Sequence, residues 1–143
     1  MGFLTALHIS KTGLTAQRVR MNVISSNLAN INTTRTQNGM PYIRRVVIME
    51  ARPVKDFDSA LDSESERLCG VGVREIVEDR SPLRRLYSPG HPDADESGYV
   101  SLPNVNIVTE MTNMMIARRS YEANVTAISA TKRMALKALE IGR

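Results

Sequence analysis

The chain contains no tryptophan, and aromatic residues make up only 4% of its 143 positions. Large rings dominate many compact cores. An interior here must therefore be assembled from Leu, Ile, Val, Met and Ala, a set suited to helices packed side by side. There is one cysteine, Cys69. That excludes an intrachain disulfide and a cysteine-based zinc site, and leaves the compartment undecided. The thiol reads as a small apolar group, since no charge pattern around it argues for a reactive thiolate. No apolar run approaches the roughly 18–20 residues of a bilayer-spanning helix, so an integral membrane protein is not expected. No nucleophile elbow and no Gly-rich phosphate loop occur, so the chain reads as a non-enzyme with neither catalytic nor cofactor-binding residues.

Acidic side chains are absent before Glu50, although the chain as a whole carries a net charge of +4. After Glu50 comes an acidic stretch: Asp56, Asp58, Asp62, Glu64 and Glu66. Charge is thus segregated by segment and not gathered into a patch with stacking aromatics. No nucleic-acid partner follows from it. An acid-free, amphipathic, Arg- and Ser-containing N-terminus also fits a mitochondrial transit peptide or a membrane-surface helix, which stands as the distant alternative. A cleavable secretory signal does not fit, because polar residues interrupt every short apolar run.

Two long periodic segments are present. Over residues 3–28, Leu7, Leu14, Met21 and Leu28 recur every seven residues, with Phe3 and Ile24 on the same stripe. A narrow seven-residue stripe favours a coiled-coil seam. Gly13 inside it costs about 1 kcal/mol against Ala, and Ser10 and Gln17 make the seam partly polar, so this helix needs a partner. Over residues 104–141, Ile107, Met111, Met114, Arg118, Tyr121, Val125, Ile128, Lys132, Ala135 and Leu139 alternate in steps of four and three. This is the strongest helical pattern in the chain. Arg118 and Tyr121 on that seam serve either as an aliphatic stem and ring for packing or as a register-setting contact with a neighbouring subunit.

Between the seams the expected elements are short. Residues 27–41, rich in Asn and Thr, form a loop, with Asn27 and Asn30 as helix C-terminal cap and turn because Asn tolerates left-handed geometry. Residues 42–50 and 70–78 read as strands, 79–82 as a turn and 83–87 as a short strand. Residues 51–67 read as an exposed, mobile acidic loop. In the ordered turn 88–98, His91, Asp93, Asp95 and Glu96 resemble a metal cluster. Asp93, Asp95, Ser97 and Gly98 match the first half of a calcium loop, but the twelfth position is Asn104 and Pro-Gly-His-Pro precedes it. A charged turn without metal is the expectation. His8 has no evident partner.

The fold class expected is mostly α with a small β module. Long N- and C-terminal helices pair in coiled-coil fashion, with a short-stranded β region between them. Residues 1–40 form the N-terminal helix and Asn-rich loop, 41–103 an outer β module, and 104–143 the C-terminal helix.

Ser25-Ser26-Asn27-Leu28-Ala29-Asn30-Ile31-Asn32-Thr33 resembles the N-terminal signature of the flagellar rod, hook and hook-associated axial proteins. Gly13 and the Val23-Ile24 pair fit its spacing. Glu110-Met111, Ala117, Arg119, Tyr121 and Asn124 resemble the C-terminal helix signature of that family. Residues 88–100 and Leu102-Pro103-Asn104-Val105-Asn106 resemble its proximal-rod branch. Many axial relatives have Asp where Asn106 stands, and the acidic stretch 51–67 matches no motif of the family. The resemblance implies a structural subunit of the basal-body proximal rod. Such a subunit is exported by the flagellar type III apparatus without signal-peptide cleavage and polymerises helically across the periplasm, its terminal helices in parallel bundles. The implied partners are copies of itself, other rod proteins, the export apparatus and an adaptor at the MS ring and export gate, with no small-molecule substrate. The runner-up is another rod subunit of the same family. The residues expected at the assembly interface are Leu7, Leu14, Met21, Asn27, Leu28, Asn30, Met111, Met114, Arg118, Tyr121, Asn124, Val125 and Ile128.

Overall fold

A computed structural model describes residues 3–53 and 68–141. Two long helices, α1 (Phe3–Ala29) and α2 (Ile107–Ile141), flank four strands: β1 (Arg45–Pro53), β2 (Cys69–Glu78), β3 (Arg84–Tyr87) and β4 (Tyr99–Leu102). β1 and β2 form one antiparallel hairpin, β3 and β4 a second. Two long helices with two small antiparallel sheets between them are therefore what the sequence folds into. The expected loop at 51–67 is corrected at its start, since residues 51–53 continue β1; its remainder lies outside the described residues.

β1 and β2 are rich in β-branched residues, which suit a pleated surface. Their register runs from Arg45 opposite Glu78 to Pro53 opposite Cys69, with a bulge between Ile48 and Met49. β4 was not anticipated from the sequence. Its four residues, Tyr-Val-Ser-Leu, are too few for a periodic signal and are defined only by pairing with β3, Tyr87 opposite Tyr99 and Arg84 opposite Leu102. The turn between them reverses at Gly98, whose φ of 79° suits glycine. Asp95 Oδ1 accepts hydrogen bonds from the amides of Ser97 (2.9 Å) and Tyr99 (2.8 Å). Asp93 Oδ2 accepts from the Thr34 hydroxyl at 2.8 Å. These carboxylates thus organise the turn and tie it to the Asn-rich loop.

α1 lies between two partners, the β1–β2 hairpin and α2, whereas among the described helices and strands α2 packs on α1 alone. The two helices of one chain run antiparallel: Asn27 near the end of α1 meets Glu110 near the start of α2, and Gly13 meets Asn124. A Cβ at Gly13 would lie 2.9 Å from Asn124 Nδ2. The helix-weakening glycine thus permits close approach of the two backbones. On the other flank the Thr12 hydroxyl accepts from the amide of Val71 at 3.2 Å.

Burial does not centre on the leucine heptads. The buried residues of α1 are Ala16, Val23, Ile24 and Asn27; those of α2 are Glu110 and Ala117. Leu7, Leu14, Met21 and Leu28 are only half-buried. A helix covered on two sides needs a stripe broader than a single seam. On α2 the inward line is Glu110, Met114, Ala117, Tyr121, Asn124 and Ile128, so Met111, Arg118 and Val125 of the expected seam fall to the exposed side. The line along which α2 packs shares Met114, Tyr121 and Ile128 with the expected seam and leaves out Met111, Arg118 and Val125.

Candidate functional site

Fully buried side chains gather where the end of α1 meets the start of α2. Asn27, Pro103, Val105 and Glu110 are the largest fully buried side chains there, and Tyr42 and Val100 are buried as well. Two of these are polar, and burying polar groups is tolerable only when they are bonded.

Asn27 is fully satisfied. Its Nδ2 donates to the Arg45 carbonyl (2.8 Å) and to Glu110 Oε2 (3.0 Å). Its Oδ1 accepts from the Arg45 amide (2.9 Å) and from the Tyr42 hydroxyl (3.0 Å). The side-chain amide therefore pairs with the main chain of Arg45 as a neighbouring strand would, and sets where β1 begins. This corrects the capping role expected for Asn27. It lies within α1, and among the described residues no non-glycine has positive φ. Asn30 does cap: its Nδ2 bonds the Ser26 carbonyl at 2.8 Å, and Thr33 Oγ1 bonds Asn30 Oδ1 at 3.2 Å. The cap works through the side chain and not through left-handed backbone.

Glu110 is 1% exposed. Its Oε1 accepts from Arg44 Nε (2.9 Å) and Nη2 (2.7 Å). Arg44 Nη1 reaches Asp79 Oδ2 at 3.1 Å, just past β2. The Arg44 amide donates to Asn104 Oδ1 at 2.8 Å, while Asn104 Nδ2 donates to the carbonyls of Asp79 (2.9 Å) and Ser81 (3.1 Å). Five segments thereby meet in one network: α1, the entry to β1, the exit of β2, the segment before α2, and α2. The Arg45 guanidinium lies over the Tyr42 ring at 5.9 Å from its centroid.

The electrostatics favour the charged forms of Arg44 and Asp79. Burial tends to lower the pKa of Arg44, but its hydrogen bonds to Glu110 and Asp79 outweigh that and raise it. The Asp79 carboxyl is held below its ordinary value of 3.8, first by the Ser81 hydroxyl (2.6 Å), then by the Ser81 amide, then by Arg44. Glu110 also sits in the first turn of α2, where the helix dipole favours a negative charge. Asn106 caps that turn, its Oδ1 accepting from the amides of Val108 (2.9 Å) and Thr109 (3.2 Å). Asn is among the residues best suited to that capping position.

The structure distributes the expected interface residues unevenly. Asn27 is in the network and Asn30 beside it. Leu7, Leu14, Met21, Leu28, Met114, Tyr121, Asn124 and Ile128 are half-buried. Met111 (55% exposed) and Val125 (42%) face outward, and Arg118 pairs with Glu122 at 2.9 Å on the exposed surface. Sequence reasoning missed Tyr42, Arg44, Asp79 and Asn104 as partners and named Glu110 only within the C-terminal helix signature. The available signal was Glu110 falling on the 110–114–117–121 line, where a carboxylate needs a cation.

Two family descriptions match the chain: "Flagella basal body rod protein" over residues 7–36 and "Flagellar basal body rod FlgEFG protein C-terminal" over residues 96–141. The matched regions, both described as flagellar basal-body rod, hold most of α1, the whole of α2, and Asn27, Asn104 and Glu110 of the junction, while Tyr42, Arg44 and Asp79 lie outside them. The chain is 47% identical to the flagellar basal-body rod protein FlgC of Bacillus subtilis, over 96% of this chain and 97% of that protein. It is 44% identical to FlgC of Borreliella burgdorferi over 99% and 98%, and 38% identical to FlgC of Escherichia coli O157:H7 over the whole of both. The chain belongs to the FlgC family of flagellar basal-body rod proteins.

Proposed function

We propose that this chain is a structural subunit of the flagellar basal-body rod that polymerises with copies of itself and other rod proteins. The rod so formed crosses the periplasm and transmits torque. The observation that carries this reading is full-length likeness to FlgC proteins of several bacteria. The exposed apolar residues of α2 support the polymer: Val108, Met111, Met115, Ile116 and Val125 stand outward on one long helix. A surface of that kind marks a site of association. Helical assembly needs unlike surfaces that meet without closing a ring. An α2 covered on one side only and an outer β region are unlike in this sense.

The polar junction serves the same end. It fixes the angle at which α1 and α2 meet and ties both to the β region, so load on one element is carried to the others by charged hydrogen bonds. Export through the flagellar type III apparatus, without cleavage of the N-terminus, completes the reading. A chain exported unfolded would form this junction only when its two ends meet. Deletion of the chain in its source organism, with electron microscopy of basal bodies, tests the function. The expected result is inner rings without rod or hook, and swimming restored by the intact chain. Complete flagella in the deletion would overturn it.

A further inference from the structure

β1 has an open edge. The Asn27 side chain holds both the amide and the carbonyl of Arg45, so the main chain of Arg45 points away from β2. Ala51 points the same way. Its opposite residue is Val71, whose amide turns outward to Thr12, and opposed residues of an antiparallel pair turn inward or outward together. Main-chain direction alternates along a strand, and the bulge between Ile48 and Met49 places its extra residue, Arg74, in β2. Val47 and Met49 therefore point outward as well. Pro53 has the same phase and lacks the amide that would point there, as suits an edge. Among the described residues no turn or side chain meets the amides of Val47 and Met49.

This edge borders a groove of about 400 Å³. Val47 and Met49 line it with Arg20, Val23 and Ile24 of α1, and among the described residues none of β2 does. Asn27 takes the place of a neighbouring strand beside Arg45, and the groove continues that place past Val47 and Met49. The charge there is of one sign. Glu110 at the groove is already held by Arg44 at 2.7 Å. Arg20, half-buried, and Arg45 have no ion-pair partner among the described residues. No acid precedes Glu50 in the chain, so α1 itself offers none. We infer that the free edge of β1 takes up an extended acidic segment of another protein as an added strand. Main-chain bonds to Val47 and Met49 hold such a strand, and its side chains set the specificity. Carboxylates pair with the guanidinium groups of Arg20 and Arg45, while the apolar side chains between them rest on Val23 and Ile24. From Arg45 to Met49 is about 13 Å, so a segment of about five residues fills the edge.

Titration of the isotope-labelled full-length chain with the capped peptide Glu-Val-Glu-Val-Glu, followed by NMR, tests this. The amide signals of Val47 and Met49 are expected to shift, and their exchange with solvent to slow about tenfold at saturation. The same peptide with methylated backbone nitrogens keeps its charge but cannot pair as a strand. It should bind about tenfold more weakly, as should Lys-Val-Lys-Val-Lys. Two variants of the chain keep the test independent of any one substitution. Arg20→Glu reverses the charge on the groove wall, and Val47→Pro removes an amide that makes no bond to β2. Each is expected to weaken binding about tenfold. Slow exchange of Val47 and Met49 in the chain without peptide would mean that the edge is already covered, and would overturn the inference. So would failure of the acidic peptide to bind, or equal binding by the methylated or the basic peptide. The groove binds or fails to bind this peptide whether or not the chain forms rods, so the reading of the chain as a rod subunit stands or falls separately.

Discussion

The two long helices are covered very differently. α1 is packed between the β1–β2 hairpin and α2, and it buries Ala16, Val23, Ile24 and Asn27 over 27 residues. α2 is longer, at 35 residues, yet buries only Glu110 and Ala117. Among the described helices and strands, the one it packs against is α1. The end of α2 is barer still, with Met134, Leu136, Leu139 and Ile141 all exposed. Since Asn27 meets Glu110 and Gly13 meets Asn124, the antiparallel register brings Phe3 level with about Met134, and the last turns of α2 run past the start of α1. One helix is thus an interior element of the subunit, and the other is covered on one side only, along the line from Glu110 to Ile128. Stability of the isolated chain should depend on α1 and the junction. Association should depend on the outer side of α2.

Breaking the junction should have the largest effect on that contrast. Arg44→Met leaves Glu110 buried and unpaired, and we expect a loss of about 3 kcal/mol or more in urea unfolding. Arg44→Met combined with Glu110→Met should recover much of that loss, since the charge is then absent from both sides. Asn27→Ala should follow at about 2–3 kcal/mol, because it strands a Glu110 oxygen and both main-chain groups of Arg45. If either variant unfolds like the wild type, the junction does not set the stability of the chain.

Gly13→Ala sharpens the comparison along the helix pair. The added methyl meets Asn124 at 2.9 Å, and overpacking costs about 1–3 kcal/mol against the roughly 1 kcal/mol gained in helix propensity. We expect a net loss near 1 kcal/mol, relieved when Asn124→Ala is added. Stabilisation by Gly13→Ala alone would show that the helices separate freely.

The smallest change in stability should come from Val125→Asp on the outer side of α2, within about 0.5 kcal/mol, while rod formation is lost in vivo. Normal rods from this variant would remove α2 from the interface. The charge on Asp79 gives a pH test of the junction. Its folded pKa is lowered below 3.8, so its contribution is present above about pH 4 and fades as pH falls through the lower folded value. The stability difference between wild type and Asp79→Asn should therefore be larger at pH 7 than at pH 3.

Much of the architecture was legible in the chain. Long stretches of alternating four- and three-residue spacing carry many repeats of one signal, so both helices could be read directly. β-branched runs between turn residues marked β1 and β2, with boundaries moved by a few residues. β4 was not legible, because four residues hold too little pattern and exist as a strand only through β3. The junction was legible in part. Asn27 and Asn30 stand out as a motif, but the bonds of Asn27 run to residues 18 and 83 positions away. No local spacing reports those.

Sequence by itself determined that the ends are helical, that the middle is β-rich and that charge is divided between an acid-free beginning and an acidic stretch after Glu50. These follow from periodicity, propensity and composition, which are local. Tertiary structure alone decided which side of each helix is covered. A seven-residue repeat fixes a stripe but not its partner, and a hairpin laid on α1 widens the buried side of that helix while leaving the outer side of α2 bare. It also decided that a buried carboxylate, an arginine and an asparagine from three separated segments share one site. Each satisfies the others only when the chain ends have met.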